Sequence, residues 1–565
     1  MLYKWNMSRP LSDELKLLVP QFSKKLRVSR LVVEFLLKRG IRTIEDMNIF
    51  LNPHLRYLKP LSSLGELDSA VKFIAHSLKS GKKVAIWGDY DVDGITSTAI
   101  LVDLLRKKGF SPIYYIPNRL EEGYGLNLEG LKTLVAQGVN LIITVDCGIT
   151  NIEEVKWIRG QNIDVVITDH HMPADELPPA NFVINPKINS SAYKNLAGVG
   201  VAFLLAAGLN NELPEKIDIR QYLDLVALGT IADVVPLDID NRILVKNGLL
   251  MLSETRRPGI VALKEESGLK VGAKLGAEEV GFMLAPRINA AGRMGNGKDG
   301  VELLLTQDMT RAKEIAKKLE GYNRARKKEE DRILKDALKQ AMEKSDRPGL
   351  VLYGDNWHEG VIGIVASRVC ERFYKPTFVL TGKNGDVKGS GRSIPEVDLY
   401  LTMKECRDAL LRFGGHPQAG GISLSKEQVQ YFEELFVECI EKITKGIELT
   451  PHLIVDSYLP LKYIDYNLIK ELELLEPYGP DNPEPVFWTK DLLVLKQKLV
   501  GKEHVFLEVR DERAKRTMWA KAWNMADLIP QDLTNKYVNI AFYPRINTYN
   551  GLIGVDLQLK DIDVV

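Results

Sequence analysis

The pattern of hydrophobic and polar positions changes several times along the chain. From residue 11 to 79, short apolar-periodic runs such as LVVEFLLKRG alternate with polar or proline breaks, which predicts a few helices. Beyond Lys83, short β-branched runs (VAIW, LIITV, DVVIT) are each followed by a helical stretch or a polar turn. Near-continuous Val/Ile strands alternating with helices indicate a parallel sheet covered on both faces. We therefore predict an N-terminal helical segment over 1–79 and a doubly wound α/β domain over 80–305.

The second half of the chain shows three further patterns. Between Gln307 and Lys344, apolar residues recur at helical spacing in a very charged background, which predicts a long linking helix over 306–346. The run GLVLYG opens a second, smaller α/β domain over 347–448. After Pro451 the chain is rich in short strands, and Asn550-Gly551 between alternating apolar residues is typical of a two-residue hairpin. We predict a small C-terminal β-barrel over 449–565.

The composition agrees with a chain of several globular domains. The 565 residues are 45% hydrophobic and 27% charged, which allows sizeable cores and excludes a disordered or collagen-like chain. Lys and Arg number 76 against 75 Asp and Glu, so a polyanionic partner must be bound by local basic patches.

Cysteine usage and the N-terminal sequence favour a cytoplasmic location. Four cysteines without CxxC spacing fit a reducing compartment better than a disulfide framework or a structural zinc site. The first residues, MLYKWNMSRPLSDELK, contain no apolar signal-peptide core, and no segment approaches the ~20 apolar residues of a membrane span. We therefore expect no membrane association.

Three aspartates follow the first predicted strand of the sheet. The segment WGDYDVDGITST places Asp89, Asp91 and Asp93 at the carboxyl end of a parallel strand, where open α/β sheets bind ligands. Asp93 alone could be the N-cap of a helix beginning near Ile95. Three clustered carboxylates repel one another unless cations lie between them, so the cluster indicates bound metal.

Two further strands also end in candidate ligands. LIITVD ends in Asp146 and DVVITDHH ends in Asp169, His170 and His171, while Asp233 lies in GTIADVVPL. A lone Asp or His there is usually structural, but neighbouring strands are ~4.8 Å apart, so these ends lie close together. Many carboxylates with one or two imidazoles favour Mn²⁺ or Mg²⁺ over Zn²⁺ and indicate two ions. A pair ~3.5–4 Å apart would activate water for in-line attack on phosphorus, which predicts phosphoester or phosphoanhydride hydrolysis.

These motifs also resemble a known family. DYDVDG, VDCG, DHH and the Asp233 segment, in this order, resemble the DHH phosphoesterase superfamily. APRINAAGRMG, WHEGVIGIVASR, GSGRS and FGGHPQAGG extend the resemblance to the RecJ family of bacterial 5′→3′ exonucleases specific for single-stranded DNA. Many superfamily members have a histidine where this chain has Trp87, a departure that affects the ligands of the first ion. The resemblance implies two manganese or magnesium ions bound by Asp91, Asp93, Asp146, His170 and Asp233, with Asp89 and His171 as catalytic residues.

Three glycine-rich segments with a cationic or imidazole donor indicate a phosphate-binding surface, since glycines allow close backbone approach to an anion. A glycine-containing helix start would by itself explain the first of them, WHEGVIGIVASR. In the RecJ-like family such motifs form the DHHA1 domain, which faces the metals across a cleft. The resemblance implies substrate binding by Arg287, Asn289, Arg293, His358, Arg368, Arg392, Ser393 and His416. A further motif, AGVGVAF at Ala197, is only a partial dinucleotide pattern and is interpreted as close helix packing.

Basic and aromatic residues elsewhere could hold a nucleic-acid strand. Between Arg311 and Lys344, twelve Lys or Arg occur with seven Asp or Glu, which is typical of a solvated helix face but would also suit a DNA backbone. RecJ-like proteins carry an OB-fold at the position of the predicted barrel, which would hold single strands without reading sequence. Six aromatic residues of the predicted barrel are interleaved with Lys and Arg: Phe506, Trp519, Trp523, Tyr537, Phe542 and Tyr543. Some of these rings must be core, so only a minority can be stacking platforms.

The sequence thus predicts a metal-dependent exonuclease that hydrolyses single-stranded DNA 5′→3′ to 5′-mononucleotides in recombination and repair. Polarity and DNA preference are implied only by the resemblance. Single-stranded DNA, a single-strand-binding protein and a helicase are the candidate partners of an expected monomer. Oligoribonucleases, cyclic-dinucleotide phosphodiesterases and pyrophosphatases of the superfamily would use similar metals but lack the terminal barrel. The alternative from another class is a catalytically silent single-strand-binding subunit, which could lose its metal ligands freely.

Overall fold

The computed structural model describes residues 3–188, 191–270, 272–383, 385–549 and 552–565. Two units are distinguished by their internal contacts and are treated separately. The α/β unit comprises Leu58–Val235 and Ile243–Leu449, and the barrel unit comprises Met1–Tyr57, Pro236–Arg242 and Thr450–Val565. Among the described residues, no helix combines the length and the apolar composition needed to cross a bilayer.

Strands occur in both units. In chain order they are β1 (Lys4–Met7), β2 (Val84–Gly88), β3 (Ile113–Tyr115), β4 (Leu141–Val145), β5 (Asp164–Thr168), β6 (Phe182–Ile184), β7 (Leu350–Asp355), β8 (Thr377–Lys383), β9 (Asp386–Arg392), β10 (Arg412–His416), β11 (Ala419–Ser425), β12 (His452–Val455), β13 (Ser457–Tyr458), β14 (Phe487–Val500), β15 (His504–Asp511), β16 (Arg516–Ala522), β17 (Tyr537–Tyr549) and β18 (Leu552–Val564).

Helices dominate the first half of the chain. In chain order they are α1 (Asp13–Leu26), α2 (Arg30–Lys38), α3 (Ile44–Leu51), α4 (Leu67–Lys79), α5 (Val92–Lys107), α6 (Leu128–Ala136), α7 (Ile152–Gly160), α8 (Gly198–Glu212), α9 (Leu223–Ala232), α10 (Ile239–Glu254), α11 (Pro258–Glu266), α12 (Ala277–Glu279), α13 (Ala285–Met294), α14 (Lys298–Leu305), α15 (Met309–Glu343), α16 (Glu359–Phe373), α17 (Leu399–Glu405), α18 (Val429–Thr444) and α19 (Tyr466–Leu472). A π-helical turn, Val280–Leu284, joins α12 to α13.

The first sheet of the α/β unit is parallel throughout, in the order β3-β2-β4-β5-β6. Every residue of β2 and β4 is buried, because helices cover both faces of the sheet. Ala85 and Trp87 pack in a core with side chains of α6 and α7. Their neighbours in the strand point to the other face, and α5 and α8 pack against the sheet as well. The predicted doubly wound domain is confirmed.

The long helix α15 and a second sheet complete the α/β unit. With 35 residues, α15 is about 50 Å long, and it packs against α11 and α13 and, further along, against α16. The second sheet has the order β10-β11-β9-β8-β7, in which only the β7–β8 pair is parallel. Its core contains a cluster of three rings, Phe378, Phe432 and Phe436. The predicted linking helix and smaller α/β domain are confirmed.

The barrel unit contains a closed five-stranded barrel. Its strands follow the order β14-β15-β16-β18-β17, and β14 also pairs with β17 to close the barrel. In β15, Val505, Leu507 and Val509 point into the core and alternate with outward side chains. The β17–β18 pairing runs antiparallel to Tyr549 opposite Leu552. The Asn550-Gly551 turn itself lies outside the described residues.

One buried arginine ties three segments of the barrel unit together. Arg242 is fully buried and donates hydrogen bonds to the carbonyls of Phe50 (2.8 Å), Leu475 (2.9 Å), Leu474 (2.9 Å) and Glu476 (2.7 Å). Its guanidinium stacks over the Phe50 ring at 3.7 Å. Burial lowers the pKa of Arg242 to about 9, because burying the guanidinium charge costs free energy. The hydrogen bonds to the carbonyls offset this cost.

Replacing this arginine should destabilise the barrel unit strongly. Arg242→Met keeps much of the volume but leaves several buried carbonyls without donors, so we expect a loss of about 3 kcal/mol or more in the free energy of unfolding. Urea unfolding measures it. The exposed Arg30→Met should stay within about 0.5 kcal/mol of the wild type. A loss no larger than that of Arg30→Met would contradict the anchoring role.

Candidate metal centre and substrate-binding surfaces

The acids predicted at the strand ends come together at one edge of the parallel sheet. Asp89, Asp146 and Asp169 each follow directly after β2, β4 and β5, which are neighbours. In the register, Gly88 lies opposite Val145 and Val145 opposite Thr168, so the three acids are level with one another. This edge is where ligands bind in open α/β sheets.

The turn after β2 is fixed by Asp91. Its Oδ1 accepts hydrogen bonds from the backbone N–H groups of Asp93 (2.9 Å) and Gly94 (3.2 Å), which makes Asp91 the N-cap of α5. Asp93 is not the N-cap of a helix beginning near Ile95, the structural alternative for this residue, because α5 already begins at Val92. A Cβ at Gly94 would lie 2.5 Å from the Asp89 carbonyl oxygen, so only glycine fits this close approach.

The side chain of Asp93 is held by the start of another helix. It is buried and accepts hydrogen bonds from the backbone N–H groups of Gly198 (2.6 Å) and Val199 (2.8 Å) at the N-terminus of α8. A Cβ at Gly198 would lie 2.7 Å from the Asp146 Cβ. The AGVGVAF motif therefore does more than allow close helix packing, since it orients one acid and makes room for another.

His170 lies at the centre of one group of donor atoms. Its Nε2 is 3.1 Å from Asp146 Oδ1, 3.5 Å from Asp233 Oδ2 and 3.7 Å from Asp93 Oδ2. The Nε2 and the oxygens from Asp146 and Asp233 are buried and have no hydrogen-bond partner. Buried polar atoms normally find partners, so this set fits a divalent cation.

A second group of donors shares Asp146 with the first. Asp89, Asp91 and Asp146 each offer a ligand atom within 4.8 Å of the others, and the buried Asp89 Oδ1 also lacks a partner. Trp87, at the position of the superfamily's histidine, cannot contribute to it. Its ring is fully buried, stacks on Tyr115 at 4.3 Å and donates from Nε1 to the Gly125 carbonyl.

The electrostatics of the centre also favour a bound cation. Burial, followed by repulsion from neighbouring carboxylates, raises the pKa of Asp93 to about 7 and that of Asp233 to about 9. The same causes hold the pKa values of Asp89 and Asp146 well above their usual range. Burial lowers the pKa of His170 to about 3, which leaves a neutral imidazole able to ligate metal.

These pKa values predict that metal binding releases protons. In the metal-free protein at pH 7, the carboxyl of Asp233 is protonated and that of Asp93 is about half protonated. Because these two pKa values are higher in the fold than in the unfolded chain, protonation stabilises the metal-free fold fully below about pH 4. This stabilisation is lost as the pH rises through 7 and 9. Mn²⁺ affinity should rise over the same window, because ligands must be ionised. Titration calorimetry at pH 7 in buffers of different ionisation enthalpy should show at least one proton released; none would contradict the account.

His171 is oriented by Asp169, a strand-end residue that the sequence already indicated, and by Tyr124, which the sequence did not indicate. Its Nδ1 lies 2.8 Å from Asp169 Oδ1 and 3.0 Å from the Tyr124 hydroxyl. Asp169 is fully buried and also accepts from the backbone N–H of Ile149 and of His170. Although burial would raise the pKa of Asp169, its hydrogen bond with His171 holds it below the usual range. Tyr124, in a glycine-flanked loop, gave no motif signal.

Four of the predicted substrate residues make hydrogen bonds within the protein. Asn289 accepts from the backbone N–H of Val92 (3.1 Å) and so supports the start of α5. His358 is the N-cap of α16, with Nδ1 accepting from the Gly360 N–H. Ser393 donates to the Val397 carbonyl, and the exposed His416 accepts from the Gln418 N–H. Their substrate roles stay predictions.

Two predicted arginines are paired with buried glutamates of α15. Arg287 lies 2.8 Å from Glu320, and Arg368 lies 2.8 Å from Glu330, which also binds Arg326. Other cations of α15 are paired in the same way, including Arg311 and Lys318 with Glu302 and Asp299. The basic run is therefore largely neutralised by its neighbours.

Arg119 interacts electrostatically with both Arg293 and Arg392, and we call these three residues the arginine group. Burial, followed by repulsion from Arg119 and Arg326, lowers the pKa of Arg293 to about 10. Burial also lowers the pKa of Arg392, and Arg119 adds to this effect. Arg293 donates to the Gly360 carbonyl and Arg392 to the Gly391 carbonyl, and within the described residues none of the three pairs with a carboxylate. Cations gathered without acids suit an anion.

Arg119 also links this cluster to the metal centre. The positive charge of Arg119 favours the ionised form of Asp89, and the positive charge of Arg293 interacts with Asp91. Arg119 is not among the residues predicted from the sequence, although it follows β3, the neighbour of β2, at the same ligand-binding edge of the sheet.

The outer face of the barrel carries rings beside cations. Lys498, Phe506 and Lys521 lie next to one another across β14, β15 and β16. Trp523 packs edge-on to Phe506 at 5.1 Å and is 46% exposed, and Lys498 lies over the Trp519 ring. Among the other predicted rings, Phe542 is fully buried in the core, while Tyr537 is exposed. This face suits base stacking with phosphate contacts.

Removing two of these rings should weaken binding of long single strands. Phe506→Ala with Trp523→Ala is expected to raise the Kd for a single strand of ~30 nucleotides at least about 30-fold, because stacking on each ring contributes about 1–3 kcal/mol. Fluorescence anisotropy measures it. The exposed Tyr463→Ala in the same unit is the control. If both changes have the same small effect, the face does not bind DNA.

Comparison with known proteins agrees with this architecture. Residues 83–230 match the N-terminal domain of the DHH family, 346–442 match the DHHA1 domain and 455–561 match the RecJ OB domain. The fold and the site thus define a DHH protein with a DHHA1 domain, an OB domain and a centre for divalent cations. The chain belongs to the RecJ family.

The relatives that show the family are similar over most of their length. The single-stranded-DNA-specific exonuclease RecJ of Bacillus subtilis strain 168 is 35% identical over 99% of this chain and 71% of its own. RecJ of Escherichia coli K12 is 35% identical, and the match covers 93% of this chain and 94% of that protein. The crystal structure of Thermus thermophilus RecJ with Mn²⁺ has a TM-score of 0.85 and 31% identity, over 99% of this chain and 79% of that one.

The cofactor prediction is confirmed as well. A second structure of the Thermus thermophilus protein contains Mg²⁺, with a TM-score of 0.79 and 29% identity over 99% of this chain and 78% of that one. Mn²⁺ and Mg²⁺ both prefer oxygen-rich sites, and the unpartnered donors of this chain supply such a site.

Proposed function

We propose that this chain is an exonuclease that uses two Mn²⁺ or Mg²⁺ ions to hydrolyse single-stranded DNA 5′→3′ to 5′-mononucleotides in recombination and repair. The observation that carries the proposal is the pair of donor groups that share Asp146 at one sheet edge. When bound there, the ions would neutralise charge on the scissile phosphate and activate water as the nucleophile.

The roles of the site residues follow from their contacts. Asp91, Asp93, Asp146, His170 and Asp233 are the proposed metal ligands. Asp89 has an unpartnered buried oxygen, so we propose it as a ligand that substitutes for the histidine replaced by Trp87. Because His171 Nδ1 is hydrogen-bonded to Asp169, its Nε2 is the nitrogen that can donate to an oxygen of the scissile phosphate.

The arginine group supports the proposed polarity. A 5′-phosphate carries more charge than an internal phosphodiester, so a cluster of guanidiniums beside the metal centre would favour a strand that enters by this end. Gly363 lets α16 lie close to β9, because a Cβ at this position would lie 2.9 Å from Ser390 Oγ and 3.5 Å from an Arg392 nitrogen. Arg287, Asn289, Arg368 and His358 would then support this surface, with Ser393 and His416 near its rim.

The remaining parts of the proposal concern organisation and setting. The domain limits 1–79, 80–305, 306–346, 347–448 and 449–565 are proposed as functional divisions. We propose the cytoplasm as the compartment, because bacterial chromosomal DNA lies there. A monomer that acts with a single-strand-binding protein and a helicase would fit an enzyme that needs unwound DNA.

The test is hydrolysis of DNA labelled at either end, as single strands and as blunt duplex, with Mn²⁺. We expect mononucleotides from the 5′ end of single strands and little release from duplex. Release from the 3′ end first would contradict the polarity, and activity restricted to dinucleotides would favour a smaller superfamily activity. Tight single-strand binding without any cleavage would favour the silent binding subunit.

A further inference from the structure

Three exposed apolar side chains belong to segments that carry donors of the metal centre or pack against such a segment. Phe282 is 78% exposed, Met172 is 69% exposed and Val234 is 65% exposed. Single exposed apolar residues are ordinary on a protein surface. These three differ because each is attached to an element that carries a donor of the centre or packs against one.

Two of them are direct neighbours of donor residues in the chain. Met172 follows His171, whose carbonyl is held by the Asn185 side chain at 2.9 Å. Val234 follows Asp233, the C-cap of α9. The backbone of each residue is therefore directly beside a group proposed to act on the scissile phosphate.

Phe282 lies on another element, which packs against the helix that ends at Asp233. It lies in the π-helical turn Val280–Leu284, which packs against α9. The nearest atom to a Cβ added at Gly281 belongs to Ile231, at 3.9 Å, two residues before Asp233. Single π-turns of this kind are frequent at functional sites.

The backbone at Val234 is in a conformation that valine rarely adopts. Its φ is +58°, in the left-handed region where a β-branched residue is a genuine outlier. With a side chain that is mostly exposed, burial does not compensate for this strain. Strain of this kind persists mainly at functional sites.

Resting on the proposed function, we infer that Phe282, Met172 and Val234 form an apolar rim that stacks on unpaired bases of the strand beside the scissile phosphate. The arginine group in the same unit supplies the cations for the phosphates, and the rim supplies the complementary apolar surface for the bases. In duplex DNA the base faces are already stacked on one another and cannot reach the rim. The rim therefore selects single strands.

The test compares a normal strand with an abasic one. Each is a 5′-phosphorylated single strand, and the second carries stable abasic analogues at its first few nucleotides. Phe282→Ala should raise KM for the normal strand about 5- to 100-fold, with little change in kcat and no change on the abasic strand. Phe282→Trp should retain the wild-type KM, and Val234→Gly should raise KM while keeping or raising Tm.

The same comparison by equilibrium binding separates this inference from the proposed function. Anisotropy in an Asp146→Asn background gives Kd values for uncleaved strands, whether or not the wild type hydrolyses DNA. Leu250→Ala, 57% exposed on α10 of the same unit, is the matched control. If Phe282→Ala removes the difference in Kd between normal and abasic strands, the apolar rim is supported. Equal effects on both strands, or an effect no larger than that of Leu250→Ala, overturns it.

Discussion

Asp146→Asn should abolish hydrolysis of single-stranded DNA and leave the fold intact. Asp146 is the acid that both donor groups share, so its loss weakens both ion sites at once. We expect the rate to fall at least about 10²- to 10³-fold, the effect of removing one main electrostatic group from an active site. Asparagine tolerates the φ of +61° at this position, and it removes a repelling charge.

Thermal unfolding gives this prediction a readout besides activity. Mn²⁺ at about 100 times its Kd should stabilise the wild type by about 2.7 kcal/mol per ion and the variant far less. The control is Asp103→Asn, a buried aspartate of α5 that lies about 15 Å along this helix from Asp93 and accepts a hydrogen bond from the Tyr222 hydroxyl. Cleavage at the wild-type rate by Asp146→Asn would show that the ligand assignment is wrong.

Arg392→Gln should remove the preference for a 5′-phosphate. Arg392 is part of the arginine group and has no carboxylate partner among the described residues, so its charge is available to an anion. A hydrogen bond to a charged group contributes about 1.5–3 kcal/mol, so kcat/KM on 5′-phosphorylated strands should fall about 10- to 100-fold. On 5′-hydroxyl strands it should change little.

The exposed Arg372→Gln on α16 is the matched control for this change, because it removes the same charge from a helix that packs against β9, the strand of Arg392. End-labelled strands that differ only in the 5′ group give the two rates. An equal loss on both strands would mean that Arg392 supports the fold of the second sheet and does not read the strand end.

The fold and the main acids could be predicted because they follow from local patterns. Buried parallel strands are near-continuous apolar runs, and the residue after each such run lies at the ligand-binding edge. Asp89, Asp146 and His170 therefore stand out from the sequence alone.

The finer geometry of the site depends on contacts between distant segments. The sequence does not reveal that the start of α8 binds Asp93 or that Tyr124 contacts His171, since 105 and 47 residues separate these partners. For the same reason, Arg287 and Arg368 look free in the sequence but are paired with glutamates of α15. Which of two neighbouring aspartates caps α5 is also not evident from the sequence, because either can cap a helix and only the backbone shows that Asp91 does.

The measurement that tests the account most directly is the release of nucleotides from a 5′-labelled single strand, first with Mn²⁺, then with excess chelator, and then with Mn²⁺ restored. We expect 5′-mononucleotides in the first and third conditions and none in the second. Release that continues in chelator, or no release in any condition while the strand is bound, would contradict a metal-dependent exonuclease centred on Asp146.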